Sequence, residues 1–500
     1  MSDQKQRLKT ALTQKDWVSS VLLFIFNAVL LSGASIGLMF WGNSGVKEKG
    51  MEMSAGSLYY VVFCVVLFVT ILYLYFLFEN REILKSVGKI FLVFSIIYTY
   101  LFSAFVVAHY FNVYARPVVL ASLLAVLLIG RKEAIFINVV CALSMFTIDS
   151  FSKAYESTEC YSALLICFTA GTLAAFVGYG LKTRLQAMSV GAIVVIPIVL
   201  IIGLLEISTL SEGIGSQAFF SHVITKMGYG VIGGFSSIVF FLAILPIFEW
   251  VFNCVTAFRL RELTNHESKL LKKLQEQAPG TFNHCTTVAQ IAEACALNLG
   301  EDVALARAAA YYHDVGKLHQ PDYFTENQGD YNLHDELTPE LSADIIRSHT
   351  RDGYQLIRAN GLPRVLADIA VEHHGTMPIR YFYAKALKMT DGDLNIEDFS
   401  YPGPKPQTKI AAIIMIADAS DAAVRALSNH SAEAVESVVR EIIEERMNLD
   451  QFSDCDITMA DLTVIRRTVV SAVTGANHHR IKYPSIRYKK TDGKTTGENV

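Results

Sequence analysis

Seven side chains stand out for the chemistry their types permit: His284, the adjacent pair His313-Asp314, His349, the adjacent pair His373-His374, and Asp418. Imidazole and carboxylate together suit borderline divalent metals such as iron, manganese or zinc. One ion takes three or four protein ligands, so five histidines and two aspartates exceed what a single ion can use. Two ions sharing a bridging carboxylate fit the set better. Such a pair polarises a phosphoryl oxygen and makes hydroxide from a shared water at neutral pH. Asp314 is the candidate bridge, because it sits beside a ligand histidine at a helix end. His266, His319, His334, His430, His478 and His479 read as ordinary surface or supporting residues.

Helical patterns must position these groups. Thr286 to Leu299 carries Val288, Ile291, Ala292, Cys295 and Leu299 on one face, just after His284. Val303 to Asp314 is an alanine-rich helix ending at the His-Asp pair. Ser342 to His349 follows Thr338-Pro339-Glu340, a helix start with Pro in its first turn. Pro363 to His374 is apolar at Val365, Leu366, Ile369 and Ala370, and Lys409 to Leu427 is strongly apolar before Asp418. No strand pattern competes. The expectation is an all-α bundle whose ligands point inward from separate helices.

The rest of the chain has another character. Of 500 residues, 52% are hydrophobic and 18% charged, against about 25% charged in soluble proteins. The excess lies between about Trp17 and Cys254, where eight apolar segments are long enough, or nearly so, to cross a bilayer: 17–42, 57–79, 88–110, 114–130, 134–151, 161–181, 185–206 and 227–254. The fourth and fifth are the weakest, being short and joined only by Arg131, Lys132 and Glu133. The expected organisation is a cytosolic N-terminus (1–16), a transmembrane region (17–254), a helical linker (255–280), a soluble all-α domain (281–480) and a tail (481–500). Lysines and arginines cluster before the first segment and in the even loops, which places both termini inside. Eight passes satisfy that parity. The first apolar stretch is too long for a signal-peptide core.

Glu79, His109, Asp149, Glu206 and Glu249 lie near segment ends, where snorkelling explains them, so anchoring or sensing is preferred to transport. A net charge of −4 argues against binding bulk nucleic acid. Only Cys160 falls in an expected external loop, so no disulfide framework is indicated. The stretch from Arg259 to Gln277, with Leu260, Leu263, Leu270, Leu271 and Leu274 as its stripe, reads as a spacer or a signalling stalk ended by Pro279-Gly280.

The order His284, His313-Asp314, Asp418 is the H…HD…D signature of the HD metal-dependent phosphohydrolases. Longer stretches resemble the PgpH-type membrane HD phosphodiesterases that cleave cyclic di-AMP: Ala278-Pro-Gly-Thr-Phe-Asn-His284, Tyr312-His-Asp-Val-Gly-Lys-Leu-His-Gln-Pro321, Phe324-Thr-Glu-Asn-Gln328, His373-His-Gly-Thr376 and Tyr401-Pro-Gly-Pro-Lys-Pro-Gln-Thr408. The resemblance implies a multi-pass protein of the bacterial plasma (inner) membrane that hydrolyses cyclic di-AMP to linear pApA with a bridging hydroxide. It implies two divalent ions, iron or manganese: one on His284, His313, Asp314 and Asp418, the other on Asp314, His349 and His373, with His374 as a further ligand or neighbour. Asp314, Lys317 and His374 would serve catalysis. Lys317, Glu326, Asn327, Gln328, Tyr401 and Lys405 would meet the substrate.

Cyclic di-AMP and the lipid bilayer are the expected partners, and a homodimer is left open. Cyclic di-GMP is the first rival substrate, although Gly375-Thr-Met-Pro after His374 differs from the Glu and Gly-Tyr-Pro elements of the branch that cleaves it. A receptor with a non-catalytic HD domain is the rival of another class. Where family members carry a large extracellular domain, this chain has only about Asn43 to Gly56.

Overall fold

The computed structural model describes residues 12–43, 55–151, 155–209, 217, 219–389 and 393–476. His478, His479, the 481–500 tail and most of the loop from Asn43 to Gly56 lie outside them. The chain divides into two units, Met1–Leu263 and Thr264–Val500.

Long runs of Leu, Val, Ile and Phe satisfy their backbone in hydrocarbon only as helices, and the first unit is built from them. It contains α1 (Gln14–Asn43), α2 (Ala55–Glu79), α3 (Val87–Tyr110), α4 (Leu120–Leu128), α5 (Arg131–Phe151), α6 (Ser157–Val177), α7 (Arg184–Thr209), α8 (Thr225–Val251) and the short α9 (Ala257–Leu263). Among the described residues seven helices are long and apolar enough to cross a membrane, and α4 is not one of them. The segment expected at 114–130 is instead a 3-10 turn at Val113–Ala115 followed by α4. Pro117 stands between them; it lacks a donor and disfavours helix at the residue before it.

This broken segment still joins opposite ends of the bundle. Tyr114 and Arg116 bond to Glu206 and Asp149, near the C-terminal ends of α7 and α5. Leu128 and Ile129 share a cavity with Asn80, Ser86 and Phe252, at the end of α2, the start of α3 and the end of α8.

Two further expectations about this unit are corrected. Asp149, Glu206 and Glu249 do not snorkel: all are buried, at 2%, 3% and 5% exposure. Asp149 accepts two hydrogen bonds from Arg116, at 2.5 and 2.7 Å. Glu206 accepts from Tyr114 and, at 3.0 Å, from Lys226, while Glu249 accepts from Thr256. A buried charge is tolerated when paired and hydrogen-bonded, and Tyr114 and Arg116 reach their partners from distant parts of the sequence. Cys160 is not in a loop but buried in the first turn of α6. All eight cysteines are free.

The second unit begins with α10 (Lys269–Gln277). The linker stripe is interrupted between α9 and α10, where Asn265 accepts a hydrogen bond from the Glu267 N–H at 3.1 Å, a local turn that competes with helix. Pro279 opens the next helix instead of closing the linker: it occupies the first turn of α11 (Pro279–Leu299), where its missing N–H costs nothing. His284 therefore lies inside α11, not before it. Then follow α12 (Val303–Tyr312), α13 (Pro339–Ala359), α14 (Arg364–Glu372), α15 (Arg380–Leu387), α16 (Lys409–Arg425), α17 (Ala432–Asn448) and α18 (Met459–Ala476). Among the described residues the β-contact is one isolated bridge, Pro378 with Ser400.

Side-chain caps start the helices that matter. Asp302 accepts from the N–H groups of Ala304 and Leu305, Thr338 from Leu341 and Thr408 from Ala411, each cap being worth about 1 kcal/mol. Ala306, Ala308, Ala309 and Ala310 are fully buried on α12, and their small size lets α12 lie close to α11. The centre of the unit is α16, where every residue from Ile410 to Asp418 is buried. A helix apolar on all sides belongs in a core, so Asp418, at the end of this buried run, enters that core and must find partners there.

Candidate metal centre

Five helices deliver the donors. His284 comes from α11; His313, the C-cap of α12, and Asp314 come from the turn beyond it; His349 comes from the middle of α13. His373, the C-cap of α14, and His374 follow that helix, and Asp418 comes from α16. Gly316 makes the crossing of the α12 turn over α13 possible: a Cβ there would stand 1.9 Å from the His349 carbonyl oxygen. Only glycine fits so close an approach, which is what sets Asp314 against His349.

All seven sequence-derived donors converge. His284, His313, Asp314 and Asp418 each offer a ligand atom within 4.8 Å of the others, and so do Asp314, His349, His373 and His374. Asp314 belongs to both groups. Its Oδ2 lies 3.3 Å from His313 Nε2 and 3.8 Å from His284 Nε2. Its Oδ1 lies 3.3 Å from His349 Nε2 and 3.6 Å from His373 Nε2. Asp418 Oδ1 is 2.9 Å from His284 Nε2, and its Oδ2 is 3.7 Å from His374 Nδ1.

The donor set fits divalent cations on grounds beyond its composition. His313 Nε2 and Asp314 Oδ1 are buried without a hydrogen-bond partner, and leaving such a group unsatisfied costs about 1–3 kcal/mol. Three of the imidazoles are aimed by their other nitrogen: the Nδ1–H groups of His313, His349 and His373 donate to the carbonyls of Ala310, Ile346 and Ala370 at 2.7, 2.5 and 2.9 Å. Nε2 is thereby the free nitrogen in each, as a metal ligand requires.

Electrostatics divide the centre. Burial opposes the charged form of His284, but hydrogen bonds to Asp418 and Asp421 outweigh it and hold its pKa up at about 9. Burial pulls His349 down to about 4, with the charges of His373 and Lys317 acting the same way. Burial would raise Asp314, yet Lys317 and His313 keep it well below the usual carboxylate range. The His284 half is rich in carboxylate; the His349 half is rich in imidazole.

The expected substrate residues separate. Lys317 Nζ is 2.7 Å from both Asp314 Oδ2 and Glu326 Oε1. Tyr401 stacks on His374 at 4.3 Å between ring centroids. These three adjoin the centre. Asn327 instead ties its loop to α11, accepting from the Thr281 N–H at 3.1 Å, and Gln328 donates to Asn332. Lys405 donates to the Ser453 hydroxyl at 3.4 Å in an exposed contact. Sequence reasoning missed Asp421, whose Oδ2 accepts from His284 Nδ1–H at 2.7 Å. Its signal was the spacing of Asp418 and Asp421 on one helix face.

Fold and site together define a polytopic membrane protein carrying a metal-dependent type of HD domain. Residues 281–423 match the HD domain family, and residues 57–256 match the family described as 7TM receptor with intracellular HD hydrolase. The chain is similar to the PgpH proteins. It is 37% identical over 438 residues to the cyclic-di-AMP phosphodiesterase PgpH of Bacillus subtilis, covering 85% of this chain and 59% of that one. To the PgpH of Listeria monocytogenes it is 44% identical over 259 residues, 52% of this chain and 36% of that one. The chain thus spans less than two thirds of these relatives. The crystal structure of the L. monocytogenes PgpH HD domain in complex with cyclic di-AMP is 46% identical, covering 43% of this chain and 99% of that one, with a TM-score of 0.41.

Proposed function

We propose that this protein hydrolyses cyclic di-AMP to linear pApA at a centre of two divalent ions, iron or manganese. The observation that carries the reading is the position of Asp314: it is shared by two donor groups, each with enough ligands for one ion. His284, His313, Asp314 and Asp418 would hold the first ion, and Asp314, His349, His373 and His374 the second. Such a pair, when bound, supplies Lewis acidity toward a phosphoryl oxygen and a water acidic enough to act as nucleophile near neutral pH.

The protein's own groups do the rest. The Nδ1–H bonds of the histidines fix which nitrogen faces inward, and the low pKa of Asp314 keeps it ionised across the working range. Lys317 brings a cation beside Asp314 that can meet a phosphate oxygen as charge develops there. Tyr401, stacked on His374, would place an aromatic ring beside the centre. The oxygen of water joins one phosphorus as that phosphorus loses its bond to the ribose 3′ oxygen, which opens the ring. Basic residues of the even loops favour a cytoplasmic HD domain, and the passage of residues 113–129 between the two ends of the bundle supports the eight-pass parity this needs.

The test is hydrolysis of cyclic di-AMP and cyclic di-GMP side by side by the purified full chain under Mn²⁺ or Fe²⁺, with metal counted per chain. Formation of pApA with about two ions bound is the expected result. Preferential cleavage of cyclic di-GMP would move the substrate assignment. Turnover of neither, or fewer than one ion per chain, would overturn the enzymatic reading in favour of a ligand-binding HD receptor.

A further inference from the structure

Four histidines of the centre present Nε2 inward, but they are not aimed alike. His313, His349 and His373 each donate Nδ1–H to the carbonyl of the residue three positions earlier. A backbone carbonyl is neutral and cannot be changed by substitution. His284 donates instead to a carboxylate, Asp421 Oδ2, at 2.7 Å. Asp421 is 5% exposed and lies three residues beyond Asp418 on α16. One helix face therefore supplies both a ligand-type carboxylate to His284 Nε2 and the carboxylate that grips its other nitrogen.

Asp421 is itself held. Arg425, one turn further along α16, pairs with the same Oδ2 at 2.8 Å, and its guanidinium also reaches the Thr287 hydroxyl on α11 at 3.4 Å. Asp421 and Arg425 line a cavity of about 250 Å³ with Thr287, Gln290 and His430. The supporting pair is thus reachable from a side of the domain that His284 Nε2 does not face.

We propose that Asp421 is a positioning residue for the metal centre: through His284 it selectively sets the affinity of the ion held by His284, His313, Asp314 and Asp418, with Arg425 holding its carboxylate in place. This rests on the two-ion reading above. A carboxylate on the far nitrogen fixes the tautomer, orients the ring and raises its basicity, and removing such a partner costs about 10–100-fold in metal affinity. The second donor group, in which His349 and His373 are aimed by backbone carbonyls, lacks this dependence. The two sites should therefore come apart on mutation.

The experiment is Mn²⁺ binding to the detergent-purified full chain, followed by electron paramagnetic resonance during titration, for the parent protein, Asp421→Ala, Asp421→Asn and Arg425→Gln. The expected result is two ions in the parent, and in Asp421→Ala one ion bound as before and one weakened by about 10–100-fold. Asp421→Asn, which keeps an acceptor oxygen but no charge, should fall between them, and so should Arg425→Gln, which leaves the acceptor but no longer holds it in place. A merely structural role would lower thermal stability without splitting the two affinities. Two parent-like affinities in both Asp421 variants overturn the proposal while leaving the two-ion reading intact. Fewer than two ions in the parent overturns that reading, and the proposal with it.

Discussion

Both units of this protein bury charge, and they do so to opposite ends. In the membrane unit, Arg116 and Asp149, exposed by only 1% and 2%, cancel one another through two hydrogen bonds, and Glu206 is met by Tyr114 and Lys226. Its buried carboxylates are answered within the bundle. In the second unit, Asp314 Oδ1 and His313 Nε2 are buried without a hydrogen-bond partner, while five imidazoles and two carboxylates crowd together. Charge satisfied by its neighbours holds helices in place. Donor atoms left unsatisfied, and aimed at a common point by their own second nitrogens, need something brought from outside. The buried carboxylates carry the difference: Asp149 and Glu206 have protein partners, and Asp314 Oδ1 has none.

The comparison can be broken most severely at Asp314. Asp314→Asn exchanges one of the two carboxylate oxygens, each of which faces one donor group, for a neutral NH2 that cannot ligate, so turnover should fall by about 10³-fold or more, with helical circular dichroism retained; near-parental activity would show that the groups do not act as one centre. Arg116→Met should behave in the reverse manner. It leaves Asp149 buried and alone, which should destabilise the detergent-solubilised protein by about 3–5 kcal/mol, while metal content stays at the parental level. The double variant Arg116→Met/Asp149→Leu should recover most of that loss in thermal unfolding. If single and double variants melted together, the pair would not be the structural lock described.

A subtler effect follows from His284. Its folded pKa of about 9 stands above the ordinary value near 6.5, so its protonated form stabilises the metal-free fold. That contribution is fully present below about pH 6.5 and is lost as pH rises toward about 9. The thermal midpoint of chelator-treated protein should therefore decline across this window, whereas metal-loaded protein, whose His284 is already neutral, should not share the decline. Parallel profiles would mean that the proton on His284 is not held by Asp418 and Asp421. Smallest of all, removing the exposed pair of Arg184 and Glu262 should shift stability by less than about 1 kcal/mol, a baseline for the buried pairs.

Much of the centre was legible as pattern, because metal chemistry restricts residue types and amphipathic helices announce themselves by periodicity. The seven donors, the all-α class and most of the apolar segments could be read this way. What pattern reading missed depends on partners distant in sequence. Asp149 and Glu206 looked like interfacial groups because Arg116 and Lys226 are far along the chain. Pro279 looked like a helix end because a proline in a first turn and a proline after a last turn read alike.

Alone, the sequence determined which side chains can bind cations and which stretches must be helical, since both follow from the chemistry of single residues and their near neighbours. Only the tertiary structure decided that Asp314 stands between two donor groups, that Asp421 aims His284, and that the membrane charges pair off. Those are distances between residues tens to more than a hundred positions apart, set by how helices pack, and no local pattern encodes them.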